Sequence, residues 1–155
     1  AHMHVERIVP RSAVRAPHAI LYMHGGAFVA GSPRTHRSIT RRLCALTGAE
    51  VLVPHYRLAP EHPFPAQIED CKSAIRWFKQ NAAELGIDPR RVIAGGGSAG
   101  GHISALATMN SGLNDPADPK DIDTKVVAYL WFNPAFELTD HKQPGRRVTA
   151  WFVRQ

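Results

Sequence analysis

The most informative part of this sequence is residues 91–102, which read Arg91-Val92-Ile93-Ala94-Gly95-Gly96-Gly97-Ser98-Ala99-Gly100-Gly101-His102. Its apolar first part predicts a short strand, its glycines predict a sharp turn, and the residues from Ala99 predict the start of a helix. Residues 96–100 fit the pattern G-x-S-x-G, in which a serine on a strained strand-to-helix turn presents its hydroxyl above the sheet edge. The pattern alone leaves two interpretations open, because glycine-rich strand–helix turns also bind phosphate groups.

Strands and helices alternate on both sides of this turn. Continuous apolar runs predict buried strands at 18–23, 50–55, 91–94 and 125–132, with weaker strand signals at 5–9 and 147–153. Amphipathic stretches predict helices at 35–46, 66–85 and 99–109. On the first of these helices, Ile39, Leu43 and Leu46 are expected to form the buried face. The order predicts an α/β fold, a three-layer sandwich with a mainly parallel sheet covered on both faces.

Composition excludes several classes of protein. The chain has 155 residues, of which 44% are hydrophobic and 21% charged, as in an ordinary globular domain. No apolar run has the length of a membrane helix. The net charge of +6 comes mainly from scattered arginines that do not alternate with aromatic residues. We therefore expect no nucleic-acid or membrane partner.

Cysteine and histidine spacing gives a further set of expectations. Cys44 and Cys71 both fall in predicted helices, so we expect two buried free thiols rather than a disulfide, and a cytoplasmic location. None of the 9 histidines has the spacing of a zinc ligand. We therefore expect no metal and no cofactor.

Three unusual stretches are expected to meet at one site. Ligands of parallel sheets bind beyond the carboxyl ends of the strands. The segments 24–28, 56–65 and 96–102 each follow a predicted strand directly. They should therefore lie side by side.

These three stretches carry a family resemblance. They read His24-Gly25-Gly26-Ala27-Phe28, then Tyr56-Arg57-Leu58-Ala59-Pro60-Glu61-His62-Pro63-Phe64-Pro65-Ala66, then Gly96-Gly97-Ser98-Ala99-Gly100-Gly101. In this order and spacing they resemble the hormone-sensitive-lipase-like carboxylesterases and lipases of the α/β-hydrolase fold. The resemblance covers about residues 18 to 134.

The resemblance implies a role for each matching residue. It makes Ser98 the nucleophile, and Gly25 and Gly26 the oxyanion-hole loop, with the amide of Ala99 as the remaining donor. Two backbone donors approach an acyl oxygen closely only where side chains are absent. The same resemblance makes His24, Gly96 and Gly100 residues that support the site. A small acyl ester is the implied substrate.

The end of the chain departs from the family pattern. The resemblance implies the triad order serine, acid, histidine, with the acid and the histidine beyond the strand at 125–132. Asp140 and His141 are the nearby candidates, but neighbouring side chains do not readily align behind a serine. We therefore expect one α/β-hydrolase domain over residues 1–155, truncated at both ends, with a core at 18–134 and an atypical tail at 135–155.

Two functions remain open on these grounds. The first is a carboxylic ester hydrolase that uses Ser98 and a backbone oxyanion hole, with a related peptidase or thioesterase activity as a less favoured variant. The second is an inactive hydrolase remnant that serves as a binding or assembly module. The apolar strand at 125–132 would have an unpaired edge, which we expect to be covered by residues 148–153 or by the same edge of a second copy in a homodimer.

Overall fold

The computed structural model describes residues 3–11, 16–109 and 112–136. In this part of the chain, strands and helices alternate as predicted. The elements are β1 (Val5–Ile8), β2 (Ala19–Met23), a 3-10 turn (Arg34–His36), α1 (Arg37–Thr47), β3 (Glu50–Pro54), α2 (Ala66–Gln80), α3 (Ala82–Leu85), β4 (Val92–Gly97), α4 (Ala99–Met109) and β5 (Ala128–Phe132). The candidates Asp140 and His141 and the predicted strand at 147–153 lie outside the described residues.

The five strands form one sheet in the order β1-β3-β2-β4-β5. Only β1 is antiparallel to its neighbour, and the pairs β2–β3, β2–β4 and β4–β5 are parallel. All residues of β2 and β3 are buried, because both strands have helices on both sides and neighbours on both edges. Among the described helices, none is long and apolar enough to cross a membrane.

Alternate strand residues divide the core into two layers. Leu21 and Leu52 belong to a cluster that includes residues of α2 and α4. Ile20 and Val51, one position earlier on the same two strands, pack with Cys44 of α1 on the opposite face. The predicted three-layer α/β fold is confirmed.

The predicted helix at 66–85 is two helices. α2 ends at Gln80, and Asn81 separates it from the single turn of α3. The side-chain amide of Asn81 donates to the carbonyl oxygen of Trp77 over 2.7 Å, and the Asn81 main-chain amide donates to the same oxygen over 3.0 Å. An asparagine that hydrogen-bonds its own backbone in this way interrupts a helix.

The predicted buried face of α1 is wrong at one position. Leu46 is 73% exposed, whereas Thr40 and Cys44 are buried. The hydroxyl of Thr40 donates to the carbonyl oxygen of His36 over 3.0 Å, so this polar residue is buried without an unpaired group. With Thr40 and Cys44 at the centre of the buried face, Leu46 lies on the solvent-facing side of the helix.

A polar segment after α4 is fixed to α2 by charged groups. Arg76 makes an ion pair of 2.7 Å with Asp118 and donates to the carbonyl oxygen of Ile122 over 3.0 Å. Lys72 donates to the carbonyl oxygen of Gly112. The Arg76 and Asp118 side chains are 9% and 13% exposed, so this pair is largely removed from water.

The last described strand lies at an edge of the sheet. β5 begins at Ala128 rather than at Lys125, and the Lys125 amide donates to the carboxylate of Asp123 over 2.7 Å. Tyr129 stacks on Trp131 with ring centroids 4.4 Å apart, and Trp131 Nε1 donates to Ser104 Oγ over 2.9 Å. Within the described residues β5 pairs with β4 alone.

Both cysteines are free and buried, as predicted. Cys44 lies on α1, and Cys71 lies on α2 in the main core cluster. Burial raises the pKa of the Cys71 thiol well above its ordinary value. Cys71 is therefore a packing residue and not a nucleophile at neutral pH.

Candidate active site

Ser98 occupies the turn between β4 and α4 in a strained conformation. Its φ is +50°, a left-handed backbone angle that non-glycine residues rarely adopt. The turn is closely packed, since a Cβ at Gly96 or at Gly100 would overlap the carbonyl oxygen of Met23 on the neighbouring strand. Only glycine fits at these two positions, which explains the small residues on either side of the serine.

The main chain of Ser98 is held from both sides. Its amide donates to the carbonyl oxygen of Phe132, at the end of β5, over 3.0 Å. Its carbonyl oxygen accepts from the amides of His102 and Ala135, each over 3.3 Å. The residue is exposed, and its hydroxyl has no hydrogen-bond partner in the described part of the chain. A fixed backbone with an accessible hydroxyl is what a serine nucleophile requires.

The loop that follows β2 lies beside this serine. A Cβ built on Gly25 would be 3.0 Å from the carbonyl oxygen of Gly97 and 3.7 Å from Ser98 Cβ. The loop turns sharply, with Gly26 at φ +129° and its carbonyl oxygen accepting from the amide of Ala30 over 2.9 Å. The two stretches predicted to meet at the sheet edge are therefore adjacent.

The main-chain amides predicted to form the oxyanion hole differ in whether they already have a hydrogen-bond acceptor. The amide of Gly25, predicted to face an acyl oxygen, donates to His36 Nε2 over 3.3 Å. The amides of Gly26 and Ala99 have no acceptor among residues 3–11, 16–109 and 112–136. Sequence reasoning did not single out His36, which lies in a short turn with no family motif to mark it.

His24 is fully buried next to the same loop. Its ring stacks on Tyr56 with centroids 4.2 Å apart, and its Nδ1 lies 2.9 Å from the carbonyl oxygen of Gly25. The Tyr56 hydroxyl donates to the carbonyl oxygen of His24 over 2.7 Å. Because that hydroxyl proton is used there, Nδ1 of His24 carries the hydrogen and donates it to Gly25.

Burial also fixes the charge of His24. Its pKa is lowered to about 4, mainly by removal from water and to a smaller extent by the nearby His36 and His55, while the hydrogen bond to Gly25 opposes the lowering. Its Nε2 is buried with no partner in the described residues. His24 is therefore neutral at pH 7 and lacks access to solvent or substrate.

His102 lies on the first turn of α4 and contacts two neighbouring segments. Its Nδ1 lies 2.7 Å from the carbonyl oxygen of Ala135, and its ring meets Phe28 edge-on at 5.7 Å. These contacts connect the loop after β2 with the segment after β5. The ring nitrogen that contacts Ala135 is not available to act on Ser98.

The proline-rich loop supports the loop after β2 from a third direction. The amide of Ala59 donates to the carbonyl oxygen of Phe28 over 3.0 Å. Arg57 fixes the start of this loop through its side chain, which is 2.7 Å from Asp70, and its amide donates to the same carboxylate over 2.8 Å. All three predicted stretches thus lie together at the carboxyl ends of the strands.

Other potential sites are few in the described residues. No group of three or more histidine, cysteine, aspartate or glutamate residues there could hold a metal ion. A cavity of about 450 Å³ lies between β1, α2 and the 118–119 segment, with Val5, Arg76, Trp77 and Asp118 in its lining. None of these lining residues belongs to the site around Ser98.

Comparison with known proteins places this geometry in a family. Residues 20–152 match a family model described as the alpha/beta hydrolase fold. The chain belongs to the α/β-hydrolase fold family. The α/β-hydrolase identity explains the strained serine, the flanking glycines and the parallel sheet together.

Curated relatives of this α/β-hydrolase and solved structures similar to it include proteins named as esterases. Carboxylesterase NlhH of Mycobacterium tuberculosis is 37% identical over 149 residues, 79% of this chain and 47% of the relative. Arylacetamide deacetylase of Mus musculus is 32% identical, over 94% of this chain and 36% of the relative. The apo form of Thermogutta terrifontis esterase 2 matches with a TM-score of 0.82 and 30% identity, over 100% of this chain and 59% of that one. The α/β-hydrolase described here is thus carboxylesterase-like, and it spans about half or less of the curated relatives it matches.

Proposed function

We propose that this chain supplies the nucleophile and oxyanion hole of an enzyme that hydrolyses small acyl esters. Ser98 is the nucleophile: its hydroxyl oxygen attacks the ester carbonyl, the alcohol leaves, and water then hydrolyses the acyl-enzyme. The observation that carries the proposal is the exposed Ser98 at φ +50° with the loop after β2 directly beside it. The enzyme names of its relatives favour this function over an inactive binding module.

The oxyanion hole is assigned to backbone amides. Gly26 and Ala99 are the donors, since both amides are without acceptors in the described residues. The amide of Gly25 is already bonded to His36, so Gly25 is not assigned as a donor. Its role is to leave space beside Ser98, because it has no side chain. One such donor is worth about 3 kcal/mol of transition-state stabilisation.

The general base is assigned to a residue outside the described ranges. A serine is a weak nucleophile at neutral pH until a base removes its proton. His24 is buried and neutral, and Nδ1 of His102 contacts Ala135. No described histidine makes a hydrogen bond to the Ser98 hydroxyl.

Hydrolysis of a chromogenic acetyl ester by the purified chain and by Ser98→Ala tests the proposal. We expect release of the alcohol by the wild-type chain, its loss in Ser98→Ala, and an unchanged unfolding free energy. A fluorophosphonate probe should add its mass to Ser98 and to no other serine. Equal rates for the two proteins, or background rates for both with no labelling, would contradict the assignment.

A second copy is proposed to cover the edge of β5. Val127, Tyr129 and Phe132 are 57%, 37% and 37% exposed, and the outer edge of this strand is unpaired in the described residues. Edge strands of this kind pair with another strand or aggregate. Light scattering should give the mass of a dimer, and Tyr129→Lys should shift it to that of a monomer. A monodisperse wild-type monomer would refute the dimer.

A further inference from the structure

His36 has three hydrogen-bonding contacts at its two ring nitrogens, and all of them fit the same tautomer. Its Nε2 is 3.3 Å from the amide of Gly25, which donates to it. Its Nδ1 is 3.0 Å from Thr35 Oγ1 and 3.3 Å from the carbonyl oxygen of Ser32. A neutral imidazole has one donor and one acceptor nitrogen, so the groups on each side decide which is which.

The groups around Nδ1 are acceptors. The carbonyl oxygen of Ser32 only accepts, and the Thr35 hydroxyl already donates its hydrogen to that carbonyl over 2.8 Å. Nδ1 of His36 therefore carries the hydrogen, and Nε2 is left bare. A bare Nε2 is what the amide of Gly25 needs as an acceptor.

The backbone of Gly25 is consequently held at both ends by histidines. His36 accepts from its amide over 3.3 Å, and His24 donates to its carbonyl oxygen over 2.9 Å. The two imidazole rings lie 5.5 Å apart, and the ring of Tyr22 lies 6.2 Å from that of His36. Glycine has wide conformational freedom, so these two hydrogen bonds limit a backbone that would otherwise sample many orientations.

Peptide geometry passes this constraint on to the next amide. The carbonyl of Gly25 and the amide of Gly26 belong to one planar trans peptide, in which the C=O and N–H bonds point in opposite directions. A carbonyl held towards His24 therefore directs the Gly26 amide away from His24. That amide has no acceptor in the described residues and lies in the loop beside Ser98.

We propose that His36, as the neutral Nδ1–H tautomer, is a positioning residue that orients the Gly25–Gly26 peptide for oxyanion binding. This inference rests on the proposed ester hydrolysis for its effect on rate. The hydrogen bond itself is independent of any activity. His36 does not touch the substrate and acts only through Gly25.

Two substitutions of His36 by side chains of similar length distinguish the effect of a hydrogen-bond acceptor from the effect of side-chain size. In His36→Gln the side-chain oxygen replaces Nε2 as acceptor, whereas His36→Met fills similar space without one. We expect His36→Met to lower kcat for an acetyl ester about tenfold to a hundredfold, less than the loss of a whole oxyanion donor. KM should change less than about twofold, because the hydrogen bond to the oxyanion matters mainly in the transition state. His36→Gln should recover most of the lost kcat.

Nuclear magnetic resonance of the isotope-labelled chain tests the hydrogen bond directly. In the wild type we expect a protonated Nδ1, a bare Nε2 and a scalar coupling between the Gly25 amide nitrogen and His36 Nε2. The Gly26 amide resonance should move in His36→Met and stay near its wild-type position in His36→Gln. If the chain hydrolyses no ester, the proposed function fails while these spectra still decide the positioning role.

Three outcomes would overturn the inference. The first is a wild-type His36 with hydrogen on Nε2, or without coupling to Gly25. The second is an equal loss of kcat in His36→Gln and His36→Met, which would mean that the imidazole acts through its size and shape and not as a hydrogen-bond acceptor. The third is a His36→Met variant with wild-type kcat and an unmoved Gly26 resonance. If His36→Met does not fold, the wild-type coupling and the His36→Gln spectrum still give a decision.

Discussion

We expect acid to destabilise this fold through His24. The ring is fully buried, and its pKa is lowered from the ordinary 6.5 to about 4, mainly by loss of hydration. In the unfolded chain the same histidine binds a proton near its ordinary pKa. As the pH falls from 6.5 to 4, the unfolded state therefore gains a proton that the folded state does not accept, and stability decreases.

The size of this effect follows from the same pKa. Each pH unit of lowering is worth about 1.4 kcal/mol. The decrease from 6.5 to about 4 therefore corresponds to about 3 kcal/mol of unfolding free energy, which is fully present above pH 6.5 and lost by pH 4. That is a large part of the stability of an ordinary domain.

Urea unfolding followed by far-ultraviolet circular dichroism, at intervals from pH 7.5 to 4, measures this dependence. His24→Asn removes the titrating ring and keeps an amide that donates to Gly25, so it should be less stable at pH 7 but have a shallower slope below pH 6.5. His62→Asn, at an exposed position, should keep the wild-type slope. Parallel slopes for the wild type and His24→Asn would refute the reasoning, because the pH dependence would then arise elsewhere.

Two further predictions concern packing and charge. Gly100→Ala should lower the free energy of unfolding in urea by about 3 kcal/mol, because the added Cβ would overlap the Met23 carbonyl oxygen. The control Gly97→Ala should cost less than about 1 kcal/mol, because the nearest neighbour of its added Cβ is 3.5 Å away. Equal costs would show that the turn relaxes. Asp118→Asn should cost about 2 kcal/mol in the same assay, because it leaves the buried charge of its arginine partner unpaired. The control Asp123→Asn, with a side chain 63% exposed, should cost less than about 1 kcal/mol, and the reverse order would contradict the burial argument.

The sequence correctly predicted the strands and helices whose hydrophobic pattern matches their burial in the structure. The strand at 18–23 is apolar on both faces, and the helix from Ala99 to Met109 follows directly from a glycine-rich turn, so the sequence located both within a residue. The break at Asn81 was not predicted, because a single side chain that bonds its own backbone leaves the amphipathic pattern intact. Leu46 was misplaced for a similar reason, since the burial of Thr40 depends on a hydrogen bond that periodicity does not express.

The site was predictable to the level of main-chain segments. Strand ends and three motifs were enough to bring residues 24–28, 56–65 and 96–102 together. The partner of the Gly25 amide was not predictable, because His36 approaches from a turn with no motif of its own. Such a contact depends on tertiary packing, which determines the direction of a particular amide.

The packing of Trp131 gives this protein an internal optical probe. Its indole nitrogen is bonded to Ser104 on α4, and its ring stacks on Tyr129 within the edge strand. Separation of β5 from the sheet would hydrate this indole and shift its fluorescence to longer wavelength, whereas Trp77, already 47% exposed, would change little. In a Trp151→Phe variant, which removes the third tryptophan of the chain, detachment of the edge strand can therefore be followed in real time without a label.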